Sequence, residues 1–163
     1  MIDPYIFSPS EFAFGYAGCK RCYYDLKKNN IKINLGFPTI FSKIDSLQKK
    51  FYHNRSSKDL NTNKLPNGII KTDYTKLQKS TVLYDHKDRA FQLRGKIDAY
   101  IDHKTFFSII DFKVTNISEK KSITYMTQLN SYALMFEKPN QNSLKLYPVK
   151  NLGIYCFEPN NLK

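Results

Sequence analysis

The sequence predicts an α/β protein of one domain, residues 1–163, in which a mixed central β-sheet is flanked by helices. Helical signals begin at Ser8 and at Thr39 and return between Ile123 and Phe136, whereas strand patterns fill most of Phe91–Lys113 and all of Leu152–Phe157. Of the 163 residues, 41% are hydrophobic. That content is enough for one core, and nothing in the sequence indicates a second.

Two helices are predicted ahead of the strands. Ser8 can serve as an N-cap, with Pro9 at the first helical position and Glu11 folding back to the cap as in a capping box. A second helical pattern starts at Thr39 and runs to about His53. Its apolar residues share one stripe, which the periodicity predicts to be core: Ile40, Phe41, Ile44, Leu47 and Phe51.

A hairpin is predicted in the middle of the chain. The segment Phe91–Asp102 alternates apolar and polar residues, as in one half-buried strand with Asp98 on its polar side. The apolar run Phe106–Ile110 then leads to Asp111 and Lys113, which a strand places on the same face. A short polar turn joins the two strands, so the hairpin can bring Asp98 and Asp111 together.

An amphipathic helix is predicted after this hairpin. Its apolar residues recur at steps of three and four: Ile123, Met126, Leu129, Ala133 and Phe136. Gln128 and Tyr132 are four residues apart and share a neighbouring face, so they should converge on one cleft with the hairpin. In the remaining chain, Asn54–Lys71 is predicted to be a loop, Thr81–Tyr84 a short strand, and Leu152–Phe157 a last strand stopped by Pro159.

Three motifs follow one another in this order: Gly95-Lys96-Ile97-Asp98, Ile109-Ile110-Asp111-Phe112-Lys113 and Gln128-Leu129-Asn130-Ser131-Tyr132. With them the chain resembles the PD-(D/E)XK nuclease superfamily, and within it the RecB-type exonucleases that include CRISPR-associated exonucleases. The segments Phe7–Phe12 and Cys19–Tyr24 also look like the N-terminal signature of this branch. The resemblance spans most of the chain and implies a restriction-endonuclease-like core. Relatives often extend past the final strand, which suggests a minimal or C-terminally truncated form.

The resemblance implies a metal-dependent deoxyribonuclease, most simply an exonuclease of DNA repair, recombination or mobile-element and viral DNA processing. Mg²⁺ or Mn²⁺ would be held by Asp98, Asp111 and the main-chain carbonyl of Phe112, an oxygen-only set that suits a hard cation. Many relatives carry a histidine in the helix before the first strand. The equivalent position here is Asp45, a tentative further metal ligand.

The resemblance also assigns roles to the polar residues near the two carboxylates. Lys113 would position the attacking water and neutralise charge in the transition state, while Gln128 and Tyr132 would orient the site and the DNA backbone. Plainer alternatives stay open for each. Asp98 and Lys113 could form a surface salt bridge of ~0 to 1 kcal/mol, Tyr132 could be a core-edge residue, and Gln128 a surface helix former.

Cys19 and Cys22 have the two-residue spacing of a metal knuckle, and some RecB-type exonucleases hold a four-cysteine iron–sulfur cluster. A cluster or a closed zinc site needs four ligands. The sequence offers one further cysteine, Cys156, whose apolar neighbours predict a buried strand thiol. An iron–sulfur cluster or zinc is therefore disfavoured in this chain alone, against structural or free thiols.

The charge of the chain predicts a polyanionic partner. Twenty-six Lys and Arg against fourteen Asp and Glu give +12, with 15% aromatic residues, which favours DNA, single- or double-stranded, over a solvated basic face. Lys120 and Lys121 lie between the hairpin and the helix and are predicted to contact DNA, as are Arg94 and Lys96. Neither a membrane-spanning run nor a secretion signal is recognisable, so a cytoplasmic protein without membrane contact is expected.

Two other functional classes stay open. One is a catalytically inactive nucleic-acid-binding module with the same fold. The other is a subunit that needs a helicase or another protein partner. The sequence does not indicate an oligomeric state.

Overall fold

The computed structural model describes residues 3–31, 38–62, 64–72, 76–116 and 118–158, apart from the side chains of residues 119–122. In these residues the helices are α1 (Pro9–Glu11), which continues as a π-helix over Phe12–Tyr16, then α2 (Lys20–Lys28), α3 (Thr39–Tyr52), a 3-10 helix (Ser57–Leu60) and α4 (Glu119–Glu137). The capping box forms as predicted, because the Ser8 N–H donates to Glu11 Oε2 at 3.2 Å.

The strands of the described residues form two four-stranded sheets. They are β1 (Tyr5–Phe7), β2 (Ile69–Lys71), β3 (Gln78–Lys79), β4 (Leu83–Tyr84), β5 (Ala90–Gly95), β6 (Ala99–Asp102), β7 (Phe107–Val114) and β8 (Val149–Phe157). In the first sheet β5 pairs with β1 in parallel and with β3 and β4 antiparallel. The second has the order β2-β6-β7-β8, with only β7 and β8 parallel. The α/β single-domain class is confirmed, with two mixed sheets where one central sheet was expected.

The segment Phe91–Asp102, predicted as one strand, is two strands in different sheets. β5 ends at Gly95 and β6 begins at Ala99, so Asp98 lies in the connection. Its carboxylate Oδ2 accepts the N–H of Phe112 at 2.9 Å, just beyond Ala99 and Ile110, the last register pair of β6 and β7 at this end. A side chain thus takes the place of the next ladder bond. Alternation alone could not reveal this break, because the two-residue period continues through it.

Buried side chains pack on both faces of β7. Ile109 belongs to the cluster beneath α4, together with Leu93, Leu129, Tyr132, Met135 and Phe136. Ile110 and Phe112 belong to the second cluster, with Leu60, Ile70, Ala99 and Ile101. Full burial of each large apolar side chain contributes roughly 1.5–3 kcal/mol. β7 is therefore the most enclosed strand of its sheet, and residues on it have little freedom to move.

The apolar stripe of α3 is not core, contrary to the sequence prediction. In the described part of the chain the exposed fractions are large at Ile40, Phe41, Leu47 and Phe51, and Ile44 is half-buried. The helix contacts the second sheet through another face, where the hydroxyls of Tyr52 and Tyr155 lie 2.8 Å apart. The stripe of α4 is likewise only half correct, because Ile123 and Met126 are exposed whereas Leu129 and Phe136 are buried.

The predicted loop Asn54–Lys71 contains the 3-10 helix and β2. Hydrogen bonds within the segment explain how a polar sequence stays ordered. Ser57 Oγ donates to the Pro66 carbonyl at 2.8 Å and accepts the Gly68 N–H at 3.0 Å. Gly68 is required by close approach, since a Cβ there would lie 2.6 Å from Ile101 Cγ2. The last strand is longer than predicted, and Pro159 lies outside the described residues.

Candidate active site

Asp111 and Lys113 project from the same face of β7, as the sequence predicted. The Lys113 ammonium lies 2.5 Å from Asp111 Oδ2, and the two side chains are 22% and 6% exposed. Burial raises the pKa of Asp111 to about 7, and the nearby Asp98 adds to this, although Lys113 opposes it. Burial lowers the pKa of Lys113, but Asp111, Asp98 and Tyr125 together raise it by more, so this lysine stays protonated.

Asp98 reaches the same place from the connection between β5 and β6. Its Oδ2 accepts the Phe112 N–H, and its Oδ1 lies 2.8 Å from the ammonium of Lys49. The N–H and C=O of one strand residue point to the same edge, so the Phe112 carbonyl also faces the Asp98 side of β7. The two carboxylates are close enough for Asp98 to disfavour ionisation of Asp111.

The helix α4 brings Gln128 and Tyr132 to these carboxylates. Gln128 Nε2 donates to Asp111 Oδ1 at a long 3.4 Å, while its Oε1 is buried with no hydrogen-bond partner among the described residues. Burial, and then the negative charge of Asp111, raise the pKa of Tyr132, so its hydroxyl remains neutral. Tyr132 fits because residue 95 is glycine, since a Cβ there would lie 3.2 Å from the ring. Both residues are buried, which excludes the surface role considered for Gln128.

Lys49 of α3 is a member of this site that the sequence analysis missed. Its ammonium lies 2.8 Å from Asp98 Oδ1 and 2.8 Å from Asp45 Oδ2. Asp45, the tentative metal ligand, therefore contacts Lys49 and is separated from Asp98 by that ammonium. The sequence does contain one indication of the Asp45–Lys49 ion pair, because the two residues are four apart on a predicted helix. In a chain so rich in lysine, however, the sequence does not single out this one.

The donor set fits Mg²⁺ or Mn²⁺ in chemistry. No group of three or more His, Cys, Asp and Glu that could bind a metal occurs in the described ranges. Mg²⁺, however, typically takes only one or two carboxylates, with water and substrate phosphate completing its shell. Asp98 and Asp111 supply these carboxylates, and the unpartnered Gln128 Oε1 is a further oxygen acceptor at their side. All four carboxylate oxygens have a partner: Lys49 and the Phe112 N–H contact Asp98, while Lys113 and Gln128 contact Asp111.

Cys19 and Cys22 lie apart from this cluster, exposed at the start of α2. The Cys22 N–H caps the helix by donating to Cys19 Sγ at 3.4 Å, and this hydrogen bond lowers the pKa of Cys19. Hydrogen bonding to Cys19 raises the pKa of Cys22. No third ligand joins them within the described residues. Cys156 is half-buried in β8, and none of the three forms a disulfide.

Basic residues precede Asp98 in the chain, and an aromatic ring lies beside Lys113. Arg94 and Lys96 are exposed and alternate with buried residues, so they share the outer face of the chain just before Asp98. Lys120 and Lys121 belong to the first turns of α4, and their side chains lie outside the described part. On the other side the Lys113 ammonium lies 5.3 Å from the centre of the Tyr125 ring, which packs at 5.7 Å against the ring of Phe14. Phe14 is 58% exposed, so this row reaches the surface.

A cleft of about 960 Å³ lies between α4 and β8. Its lining includes Leu65, Ile123, Met126 and Ile154, but neither Asp98 nor Asp111. We place the candidate site at the carboxylates because buried, paired ionisable groups with a perturbed pKa are typical of functional sites.

Comparison with known proteins leaves the function open. No family model matches this chain, and no curated protein matches it. Among solved structures the chain is similar to the crystal structure of SSO0001, with 15% identity over 99% of this chain and 66% of that chain and a TM-score of 0.47. This likeness is too distant to bear on the function. In the described residues, no helix is both long and apolar enough to cross a membrane.

Proposed function

We propose that the protein is a metal-dependent nuclease that hydrolyses phosphodiester bonds in DNA, most simply an exonuclease of the RecB type acting in the cytoplasm. The observation that carries the proposal is the buried Asp111–Lys113 pair on β7, which faces a second carboxylate, Asp98, at the break between two strands. A buried carboxylate whose pKa is raised, and which shares its site with other ionisable groups, is typical of functional sites. A structural role would be served better by apolar residues of the same volume.

Each site residue would have its own role in hydrolysis. A divalent cation bound by Asp98, Asp111 and the Phe112 carbonyl would polarise the phosphodiester and make a water more acidic. Lys113 would hold the attacking water beside the phosphate and neutralise the charge that grows there, because its ammonium is fixed by Asp111. Gln128 would keep Asp111 oriented through its amide N–H.

The surroundings of the site favour DNA as the substrate. The chain carries a net charge of +12, and Arg94 and Lys96 are exposed next to Asp98. Phosphates are attracted to such groups irrespective of base sequence. The row from Lys113 through Tyr125 to Phe14 offers ring faces on which an unpaired base could stack.

A second candidate is a nucleic-acid-binding module without catalytic activity. One observation favours it: both carboxylates already have an ammonium partner, Asp98 with Lys49 and Asp111 with Lys113. Such a site is partly neutralised before any metal arrives. The same surface would then bind DNA through its phosphates without cutting it.

Cleavage of end-labelled single- and double-stranded DNA, with Mg²⁺, Mn²⁺ or EDTA, separates the two candidates. We expect metal-dependent cleavage by the wild-type protein and a loss of at least about a hundredfold in Asp111→Asn and Lys113→Met. Lys138→Met is the matched control, because Lys138 is exposed just beyond the far end of α4. Wild-type rates in Asp111→Asn would contradict the nuclease proposal. Tight DNA binding with no cleavage in either metal would favour the binding module.

A further inference from the structure

Lys49 bridges two carboxylates at the edge of the candidate site. Its ammonium is 2.8 Å from both Asp98 Oδ1 and Asp45 Oδ2. Ion pairs with both carboxylates hold the side chain in place as a cation. It thus occupies, with a positive charge, an oxygen that the proposed metal would need.

The main chain of Lys49 is fixed, whereas its side chain has room to move. Thr72 Oγ1 donates to the Lys49 carbonyl at 2.7 Å, and the neighbouring turn of α3 is anchored by the hydrogen bond between Tyr52 and Tyr155. The Lys49 side chain is 29% exposed and ends in a compact ammonium on a flexible stem. The ammonium can leave Asp98 without any movement of the helix.

Asp45 offers the ammonium a second position. The Asp45 side chain is 43% exposed, more than the 18% of Asp98. An ion pair with Asp45 therefore needs less desolvation than one with Asp98. Lys49 can remain bound to Asp45 while Asp98 Oδ1 becomes available.

We propose that Lys49 is a tethered cation that competes with the divalent metal for Asp98, and that Asp45 holds it when the metal binds. This inference rests on the proposed function, because it presupposes a metal at Asp98 and Asp111. Lys49 is then a positioning residue that lowers the metal affinity of the resting site. A purely structural Lys49 would do the reverse, since it would hold Asp98 ready for the metal.

Mn²⁺ binding to the metal-free protein tests this directly, with free Mn²⁺ measured by electron paramagnetic resonance and no DNA present. We expect Lys49→Met to bind Mn²⁺ roughly tenfold more tightly than wild type, the size of a typical coupling between two binding equilibria. Lys50→Met is the matched control, because it removes the same charge from an exposed position on the same helix. It should bind as wild type does.

Two further variants complete the test. Lys49→Arg keeps the cation and should retain the weak wild-type affinity for Mn²⁺. Lys49→Gln is used instead of Lys49→Met if Lys49→Met does not fold. Adding Asp111→Asn to Lys49→Met should abolish the tight binding and so locate it at this site. The proposed competition is wrong if Lys49→Met binds Mn²⁺ no more tightly than Lys50→Met does, and if Asp111→Asn removes that binding. The nuclease proposal is unaffected by this outcome. If no variant shows binding that depends on Asp111, the proposed metal site itself fails, and the competition with it.

Discussion

The candidate site lies between two helices that differ in how firmly they are held. α4 buries Leu129, Met135 and Phe136 beneath it and supplies Gln128 and Tyr132 from the same enclosed side. The other helix, α3, leaves most of its apolar stripe exposed among the described residues and meets the site through Lys49. One carboxylate, Asp111, is therefore set in a packed core, whereas Asp98 is bound to a side chain that can exchange partners.

Truncation of one phenylalanine on each helix should show whether this contrast holds. Phe136 is 0% exposed, whereas Phe51 is 53% exposed and its ring centre lies 3.9 Å from the Arg55 guanidinium. We expect Phe136→Ala to lower the free energy of unfolding by about 3–5 kcal/mol, because it leaves a cavity. Phe51→Ala should cost only about 1 kcal/mol or less, the contribution of an exposed cation–π interaction.

Urea denaturation followed by circular dichroism measures both changes. The m-value serves as the internal control, since an unchanged slope shows that the variants unfold from comparable states. A loss of stability at Phe51 as large as that at Phe136 would mean that the exposed stripe of α3 is covered in solution. The contrast between the helices would then be wrong.

The sequence predicted the α4 side of the site better than the α3 side, for a physical reason. Asp111, Lys113, Gln128 and Tyr132 lie on elements whose spacing fixes which residues share a face, so local periodicity is enough. The partner of Asp98 depends on an interaction between residues far apart in the chain. Periodicity identified the apolar stripe of α3, but it carries no information on whether another element covers that stripe.

Asp111, on the enclosed side of the contrast, should make the stability of the protein depend on pH. Asp111 has a folded-state pKa raised from the ordinary 3.8 to about 7. Below the lower value it is protonated in both states, and between the two values only the folded protein keeps the proton. Its contribution to stability is therefore fully present below about pH 4 and is lost as the pH rises through about 7, at roughly 1.4 kcal/mol for each pH unit between the two pKa values.

Asp111→Asn should accordingly lose less stability than wild type between pH 4 and pH 8, in EDTA. The measurement is the free energy of unfolding at several pH values for both proteins. Asp45→Asn is the control, because it makes the same carboxylate-to-amide change at a side chain that is 43% exposed, and it should keep the wild-type slope. Parallel pH profiles for wild type and Asp111→Asn would show that the buried carboxylate does not titrate in this range.

The break between β5 and β6 is the other feature that the sequence could not show. Residues 96–98 keep the apolar and polar alternation of the flanking strands, so the pattern describes one strand where the molecule has two. The long-range hydrogen bond from the Phe112 N–H to Asp98 decides the outcome. It also turns the Asp98 carboxylate towards β7, which a continuous strand would not do.

The smallest expected effect concerns the side of the site along which the proposed DNA substrate would lie. Arg94 and Lys96 are exposed on the β5 side, and Lys43 and Lys50 are exposed on α3. Each duplex phosphate that a variant no longer neutralises lowers the magnitude of the slope of log affinity against log salt by about 0.9, because fewer counterions are released. We expect Arg94→Ala/Lys96→Ala to reduce the slope by roughly 1 to 2, and Lys43→Ala/Lys50→Ala to leave it unchanged, although the two double variants remove the same charge.

Fluorescence anisotropy over a salt series in EDTA measures both slopes. Lys120→Ala/Lys121→Ala belongs in the same series, because these lysines precede the buried half of α4. A larger change for the α3 pair than for the β5 pair would place the DNA over Lys49, and the exposed helix would then be the nucleic-acid face of the molecule.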